Sequence, residues 1–537
     1  MENKVLLAEH ENSTVVAEFK SIKVHSNKFE SEAELEEKFI KLLIAQGYEY
    51  LPIKNNNDLK NNLRKQIEKL NNYQFTNNEW ESFLSTYLLN PNDGVETRSK
   101  KIHEDYSYPL KKDKDSITKN IKIIDKNNIH NNSIQVINQY QNNNLDNQQK
   151  TRYDVSILVN GLPLVHIELK RRGTNLKEAF NQIKRYANGS FTDLYLYTQI
   201  YVISNGTQTK YYSNTTRETS IKERNNTNSK KTSNSFEFTS YWADSKNNQI
   251  LDLIDFCQTF FAKHTILNIL TKYCVFTSDN TLMVLRPYQI VATERIINRI
   301  KVSLNDKKLL GTTGAGGYIW HTTGSGKTLT SFKTATLAKE IEGVDKVLFV
   351  VDRKDLDYQT TKEYEKYSKG CVSANTNVNE LSKQIENQEN KIIITTIQKL
   401  GIFISKNPKH PIYSKNVVLV FDECHRSQFG DLHKKITKKS FKKYMIFGFT
   451  GTPILEENSN VKNKNIFFTT EHLFGACLHK YTIDKAIRDG NVLGFRTEYY
   501  KTLSEKYDID DETSSTRIDK KEALEIRFVF LKLLILF

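Results

Sequence analysis

The run Trp320-His-Thr-Thr-Gly-Ser-Gly-Lys-Thr328 constrains this chain most. Gly324 and Gly326, with Thr323 and Ser325 between and before them, let the backbone turn tightly so that its N–H groups surround phosphate oxygens. Lys327 reaches the β/γ-phosphates, the Thr328 hydroxyl is placed for Mg2+, and the helix that follows adds its positive N-terminal end. The strict phosphate-loop pattern has a glycine where His321 stands, so the loop alone is also compatible with a structural turn. A second feature decides between the two. Val417-Val-Leu-Val-Phe421 is a buried-strand pattern that delivers Asp422 to a sheet edge, where a carboxylate can hold the Mg2+ hydration shell. Glu423 beside it can orient or deprotonate an attacking water. Loop and acidic strand end together read as a nucleotide-driven motor.

A chain of 537 residues is long enough for several domains. Its formal charge of +15 suggests a polyanionic partner, although a composition heavy in Asn and Lys can also reflect coding bias. Cys257, Cys274, Cys371, Cys424 and Cys477 form no CxxC pair, so neither a zinc knuckle nor a disulfide framework is indicated, and a reducing cytosol fits. There is no charged-then-apolar signal at the start and no apolar run of membrane-spanning length, so a cytoplasmic chain with no membrane partner is expected.

Ser31, with acids in the next turn and apolar residues at helical spacing, opens a first helix. The Asn-rich runs 54–60 and 119–150 read as loop-like, with a possible strand at 134–138, and 222–235 reads as an inserted loop. From about 250 to 276 the pattern becomes helical and apolar, suggesting a connector ahead of the motor.

A second chemical site lies in 152–170. Two alternating runs flank Asn160-Gly161, a strong hairpin signal. Val155, Ile157 and Val159 share one face with Val165, Ile167 and Leu169, giving a buried side. The opposite face carries Asp154, His166, Glu168 and Lys170. Two converging carboxylates can bind a divalent cation, and a lysine two residues beyond can position water and stabilise charge on a phosphate. The bland alternative is a solvated face on which Glu168 and Lys170 are merely neighbours. The next segment, 175–186, is helical by spacing and basic, and sets Gln182 and Tyr186 at i and i+4. His166 reads as a packing or hydrogen-bonding residue rather than a metal ligand.

Asp154, Glu168-Leu-Lys170 and Gln182-x-x-x-Tyr186 resemble the PD-(D/E)xK nuclease core of the RecB-like kind. Arg286-Pro-Tyr-Gln289 resembles the adenine-reading element of superfamily-two helicases. The runs 321–328, 350–356, 395–400, 422–425 and 449–453 match that superfamily's first-lobe motifs in order. A nuclease followed by such a motor is the layout of the restriction (R) subunit of type I restriction endonucleases, and the match runs from roughly Ser31 to Arg496. The resemblance implies an α/β chain: a nuclease domain over 1–249, a helical connector over 250–284, a RecA-like parallel-sheet lobe over 285–500, and a tail over 501–537. It further implies that Gln289 contacts adenine and that Arg353, Thr395 and Thr396 lie near the DNA backbone. Thr450 and Thr452 would couple nucleotide state to strand contacts, the alternative being a simple strand-ending turn. Glu34 or Glu37 would correspond to a helix glutamate at the nuclease metal site, set against a solvated helix face.

The family's second RecA-like lobe has no motif after Arg496, so a C-terminally truncated subunit is expected, one that in isolation can lack ATP turnover. The implied activity is ATP- and Mg2+-dependent translocation on double-stranded DNA with endonucleolytic cleavage of unmodified DNA. Asp154, Glu168 and Lys170 would cut with Mg2+, while Lys327, Thr328, Asp422 and Glu423 would run the ATP cycle. The implied partners are methylation (M) and specificity (S) subunits. Two other readings stay open: a helicase-nuclease of DNA repair, and an inactive remnant that binds ATP or DNA.

Overall fold

The computed structural model describes residues 13–20, 30–114, 117–142, 151–187, 191–215, 235–351, 378–427, 436, 440–458, 462–463, 466–467 and 469–492. All of them belong to one compact unit, Met1–Val492. No helix among them is long and apolar enough to cross a membrane.

Ser31 and Glu34 form a reciprocal capping box that starts α1 (Glu32–Ala45), as the spacing predicts. The run 54–60, expected to be loop, instead begins α2 (Asn56–Asn71). Asn55 caps it by accepting from the Asp58 N–H, and Leu59, Leu63 and Ile67 form a fully buried stripe at i, i+4. Three apolar residues at the right spacing outweigh a polar composition. The described part of the run 119–150, residues 119–142, is also more ordered than expected. It holds a strand, Thr118–Lys122, and β2 (Ile134–Asn142), longer than the segment anticipated. The 222–235 run lies outside the described residues except for its last residue, as does the whole tail.

The first sheet runs in chain order: β1 (Glu49–Tyr50), β2, β3 (Thr151–Val159), β4 (Leu162–Leu169), β5 (Ile200–Ser204) and β6 (Thr209–Ser213). Two of its pairings, β1 with β2 and β4 with β5, are parallel, and the rest are antiparallel. Asn160 (φ 51°) and Gly161 (φ 83°) make the left-handed two-residue turn that the dipeptide predicts. The expected division of the hairpin into a buried face and an open one does not hold, because every residue of β4 is buried. One reason is α2, whose backbone lies so close to the turn that a Cβ on Gly161 would sit 2.6 Å from Leu63 Cα.

The stretch anticipated as a connector forms α3 (Leu253–Phe260) and α4 (Lys263–Thr271), followed by a short antiparallel pair, Cys274–Phe276 and Leu282–Val284. These pack into the same apolar cluster as the first sheet. Next come α5 (Pro287–Asn305) and a second sheet of six strands, all parallel. It contains β7 (Gly317–His321), β8 (Lys346–Val351), β9 (Ile392–Thr396), β10 (Asn416–Phe421), β11 (Lys443–Thr450) and β12 (Cys477–Tyr481), in the order β9-β8-β10-β11-β7-β12. Leu348, Val350, Val417, Leu419 and Phe421 enter one apolar cluster, and Val347, Phe349, Val351, Val418 and Val420 the other. This period-two split is why these strands read as continuous apolar runs.

Replacing Gly161 with alanine tests the hairpin. The left-handed backbone alone should cost about 1–2 kcal/mol, and the approach to Leu63 adds to it. A lower denaturation midpoint by tryptophan fluorescence is the expected result.

Candidate functional site

Val155 pairs with Ile167, so Asp154 and Glu168, the next residue on each strand, stand opposite one another. Both are buried, at 6% and 0% exposure, which removes the solvated-face alternative. The Leu169 N–H donates to Asp154 Oδ2 at 3.0 Å. Lys170 Nζ lies 3.2 Å from Glu168 Oε1 and 3.2 Å from Glu32 Oε1, and donates to the Leu169 carbonyl at 2.9 Å. Burial, and then the neighbouring Glu168, pushes the Asp154 carboxyl well above the usual carboxylate range. Burial raises Glu168 as well, against the pull of Lys170. Burial weakens the charge of Lys170, but Glu168, Asp154 and Glu32 outweigh it and hold the ammonium above its ordinary value.

Gln182 and Tyr186 sit on the helix Leu176–Ala187. The Gln182 amide donates to Tyr186 OH at 2.5 Å, and that hydroxyl donates to the Arg152 carbonyl at 3.1 Å, tying the helix to β3 beside Asp154. The glutamate of α1 that reaches the site is neither Glu34, spent on the capping box, nor Glu37, in an ion pair with Lys41 at 2.6 Å. It is Glu32. Both anticipated acids lie off the side of α1 that meets Lys170, an orientation that spacing alone does not fix. One turn on, buried Glu36 accepts from Asn138 Nδ2 at 2.6 Å and from Gln139 Nε2. Gln139 has φ 53° and falls between the pairs Asn138–Val155 and Tyr140–Tyr153, opposite Asp154. The strand is thus distorted beside the carboxylates.

At the second sheet, β7 ends at His321 and the helix α6 (Lys327–Ala338) begins at Lys327, with Gly324 (φ 80°) and Gly326 (φ 78°) making the turn between. Thr323 is exposed, Ser325 is buried and donates to the Thr322 carbonyl at 2.5 Å, and Thr328 is half-buried. Lys327 Nζ lies 3.3 Å from Glu423 Oε1. Asp422 and Glu423 follow the end of β10, and Glu423 has φ 43° while its N–H donates to Asp422 Oδ1 at 3.0 Å. Such strain on a non-glycine residue is typical of working sites. His425 Nδ1 lies 3.5 Å from Glu423 Oε2 and 3.0 Å from Thr450 Oγ1. The Thr452 N–H donates to that same Thr450 hydroxyl at 3.1 Å.

Gln289 has its amide committed to backbone. Nε2 donates to the Ser325 and Gly326 carbonyls, each at 3.2 Å, and Oε1 accepts from the Arg286 N–H at 2.9 Å. Thr395 and Thr396 are buried at the end of β9, and the Thr396 hydroxyl caps the next helix by accepting from the Lys399 N–H at 3.2 Å. Arg353 lies outside the described residues.

The family description "Type I restriction enzyme R protein N terminus" matches residues 29–220, and "SWI2/SNF2 ATPase" matches 288–525. The type I restriction enzyme EcoprrI endonuclease subunit of Escherichia coli is 44% identical over 319 residues, covering 59% of this chain and 96% of that protein. This chain belongs to the family of type I restriction enzyme endonuclease subunits. The SsaAORF53P endonuclease subunit of Staphylococcus saprophyticus is 40% identical over 493 residues, 90% of this chain and 49% of its own length. The SauCOLORF180P subunit of Staphylococcus aureus is 39% identical over 504 residues, 92% and 50%. The chain therefore spans about half the length of these two relatives.

In this family member the hairpin brings Asp154, Glu168 and Lys170 together, and the second sheet brings Lys327 to Glu423. Glu32 and His425 were not anticipated. For His425 a signal was present, since it ends the acidic run at 422–425. Among the described residues no cluster of three or more His, Cys, Asp or Glu side chains converges on one point. The pair Asp154 and Glu168 nevertheless fits a cation: their carboxyls are desolvated against one another, and Glu168 Oε2 has no hydrogen-bond partner.

Raised carboxyls bind protons more tightly in the folded than in the unfolded chain, so the pair's contribution falls as pH climbs from the unfolded carboxylate range through the raised one. With divalent metal chelated, Asp154→Asn should melt about 2–4 °C above the parent near pH 9, and the gap should close towards about pH 5. A variant that melts lower throughout would show that the pair is not a strained one.

Proposed function

We propose that this chain acts as the restriction subunit of a type I restriction–modification enzyme, coupling ATP-dependent translocation on double-stranded DNA to Mg2+-dependent cleavage of unmodified DNA. The observation that carries this reading is a buried acid pair with its lysine, Asp154, Glu168 and Lys170, in one compact unit with the Lys327–Glu423 nucleotide loop. The proposed layout is a PD-(D/E)xK nuclease domain over 1–249, a connector over 250–284 and a RecA-like lobe over 285–500, with a tail over 501–537. Methylation and specificity subunits are the proposed partners. They would read the DNA sequence while this chain holds the backbone, so binding should weaken steeply with salt.

In the nuclease, Asp154 and Glu168 would hold Mg2+, which when bound polarises a phosphodiester and lowers the pKa of water. Lys170, kept charged by its three acids, would stabilise charge building on the phosphate. Gln182 and Tyr186 would fix the helix that flanks the DNA path. In the motor, the 323–326 loop, Lys327 and Thr328 would bind the ATP phosphates with Mg2+, and Asp422 would hold the ion's shell. Glu423 would orient the attacking water. Its exchange of the Lys327 partner for phosphate would reach Thr450 and Thr452 through His425, linking nucleotide state to strand contacts. Arg353, Thr395 and Thr396 would lie along that DNA path, and Gln289 would read adenine after releasing the loop carbonyls.

The deciding experiment measures ATP turnover and DNA cleavage by the full chain with its methylation and specificity partners, beside Lys327→Ala and Lys170→Ala. Lys327→Ala should lose ATP turnover and cleavage together, by on the order of a thousandfold. Lys170→Ala should keep DNA-stimulated turnover and lose cleavage. Cleavage of DNA ends independent of those partners would favour a repair helicase-nuclease instead. Absent turnover with ATP binding still sensitive to Lys327→Ala would leave a nucleotide-binding remnant.

A further inference from the structure

Behind the acid pair a file of polar side chains runs into the core of the first sheet. Glu168 Oε1 faces Lys170, while Oε2 lies 3.4 Å from His166 Nε2. Neither Oε2 nor Nε2 makes a hydrogen bond, to each other or to any other group, and both residues are fully buried. On the other side of the ring, His166 Nδ1 lies 3.4 Å from Ser156 Oγ, and Ser156 Oγ lies 3.1 Å from Tyr195 OH. Ser156 and His166 are a cross-strand pair, and Glu168 follows His166 by two residues, so all three share one face of the hairpin. Tyr153, Tyr186, Phe191 and Tyr201 each meet the imidazole edge-on, with interplanar angles of 68° to 82°. The ring plane is therefore fixed.

A packing role alone does not account for this arrangement, since an apolar ring would fill the box without burying two nitrogens. Donor and acceptor bookkeeping gives the file a direction. A fully buried imidazole is held neutral by the cost of burying its charge, so it carries one N–H. When it holds a cation, Glu168 is an ionised carboxylate that only accepts, which would put the imidazole proton on Nε2. Nδ1 then accepts from the Ser156 hydroxyl, and Ser156 accepts from Tyr195. The 3.4 Å approach to Glu168 is longer than the ~2.7–2.9 Å of a charge-assisted bond, so Nε2 and Oε2 stand in contact without being bonded.

We propose that His166 is a positioning residue for Glu168: its Nε2–H fixes the carboxylate in the orientation that receives a divalent cation together with Asp154, while Ser156 and Tyr195 fix the ring's tautomer. This rests on the nuclease reading of Asp154 and Glu168. Outer partners of metal ligands commonly change metal affinity by about 10- to 100-fold.

The test is Mn2+ binding to the full chain, by electron paramagnetic resonance, in the parent, His166→Phe, His166→Gln and Asp154→Asn. Phenylalanine keeps a ring in the aromatic box and removes the donor, whereas glutamine keeps a donor and removes the ring. Binding of an ATP analogue serves as the check that each variant is folded. His166→Phe should weaken Mn2+ binding about 10- to 100-fold and His166→Gln should recover most of it, with Ser156→Ala in between. Parent-like binding in His166→Phe overturns the positioning role. Parent-like binding in Asp154→Asn overturns the metal-site reading itself, and the positioning role with it.

Discussion

Parallel strands are joined only by crossovers, so all six strands of the second sheet end on the same edge. The register fixes which ends are neighbours. Val350 pairs with Phe421, Phe421 with Gly448, and Trp320 with Thr450. The loop after β7, the acids after β10 and the turn after β11 therefore meet although long stretches of chain separate them. The Lys327–Glu423 and His425–Thr450 contacts are local consequences of that register. Alternate residues of β8, β10 and β11 enter apolar clusters on opposite faces, so a slip by one residue would exchange the two sets. Packing on both faces thus holds the geometry of the edge.

The first sheet solves a different problem. Its hairpin holds two carboxyls out of water and beside each other, which opposes folding unless a proton or a cation is present. Lys170 offsets part of the cost, and the apolar residues on both faces of β3 and β4 supply the rest of the restraint. The buried aromatic box around His166 belongs to the same design. It fixes the ring that stands 3.4 Å behind Glu168 Oε2.

The motif-bearing positions were legible because their chemistry demands particular residues at fixed spacing: glycines at 324 and 326 for positive φ, Asn160-Gly161 for the hairpin turn, Ser31 and Glu34 for the cap. What was not legible depends on tertiary contact. The 54–60 run looked like loop because Asn dominates it, and only the burial of Leu59, Leu63 and Ile67 in the first sheet's apolar core makes it helix. The hairpin's second face looked solvated because its residues are polar, whereas Tyr186, Phe191 and Tyr201 from later segments pack against His166 on it. Which glutamate of α1 reaches Lys170 depends on how the helix is rotated, and the resemblance pointed to Glu34 or Glu37 rather than Glu32. The partners of Gln289 were not legible either: Nε2 donates to the loop carbonyls of Ser325 and Gly326, and Oε1 accepts from the Arg286 N–H at the start of its own helix.

The two candidate sites are also joined through packing. Leu329, in the first turn of the helix that follows the phosphate loop, belongs to the apolar core of the first sheet, and Leu337, two turns on, packs against it. Ile290 and Val291, beside Gln289 on α5, belong to that core as well. Beyond β12, Asp489 accepts from Tyr481 OH at 2.9 Å, from Asn247 Nδ2 at 2.6 Å and from Gln249 Nε2 at 2.9 Å, closing a second bridge between the two sheets' surroundings. Close-packed interiors do not deform continuously, so a movement of the phosphate-loop helix either carries the first sheet's core along or opens a gap in it. The helix that begins with Lys327 and the hairpin that ends with Lys170 are consequently set in one packed body.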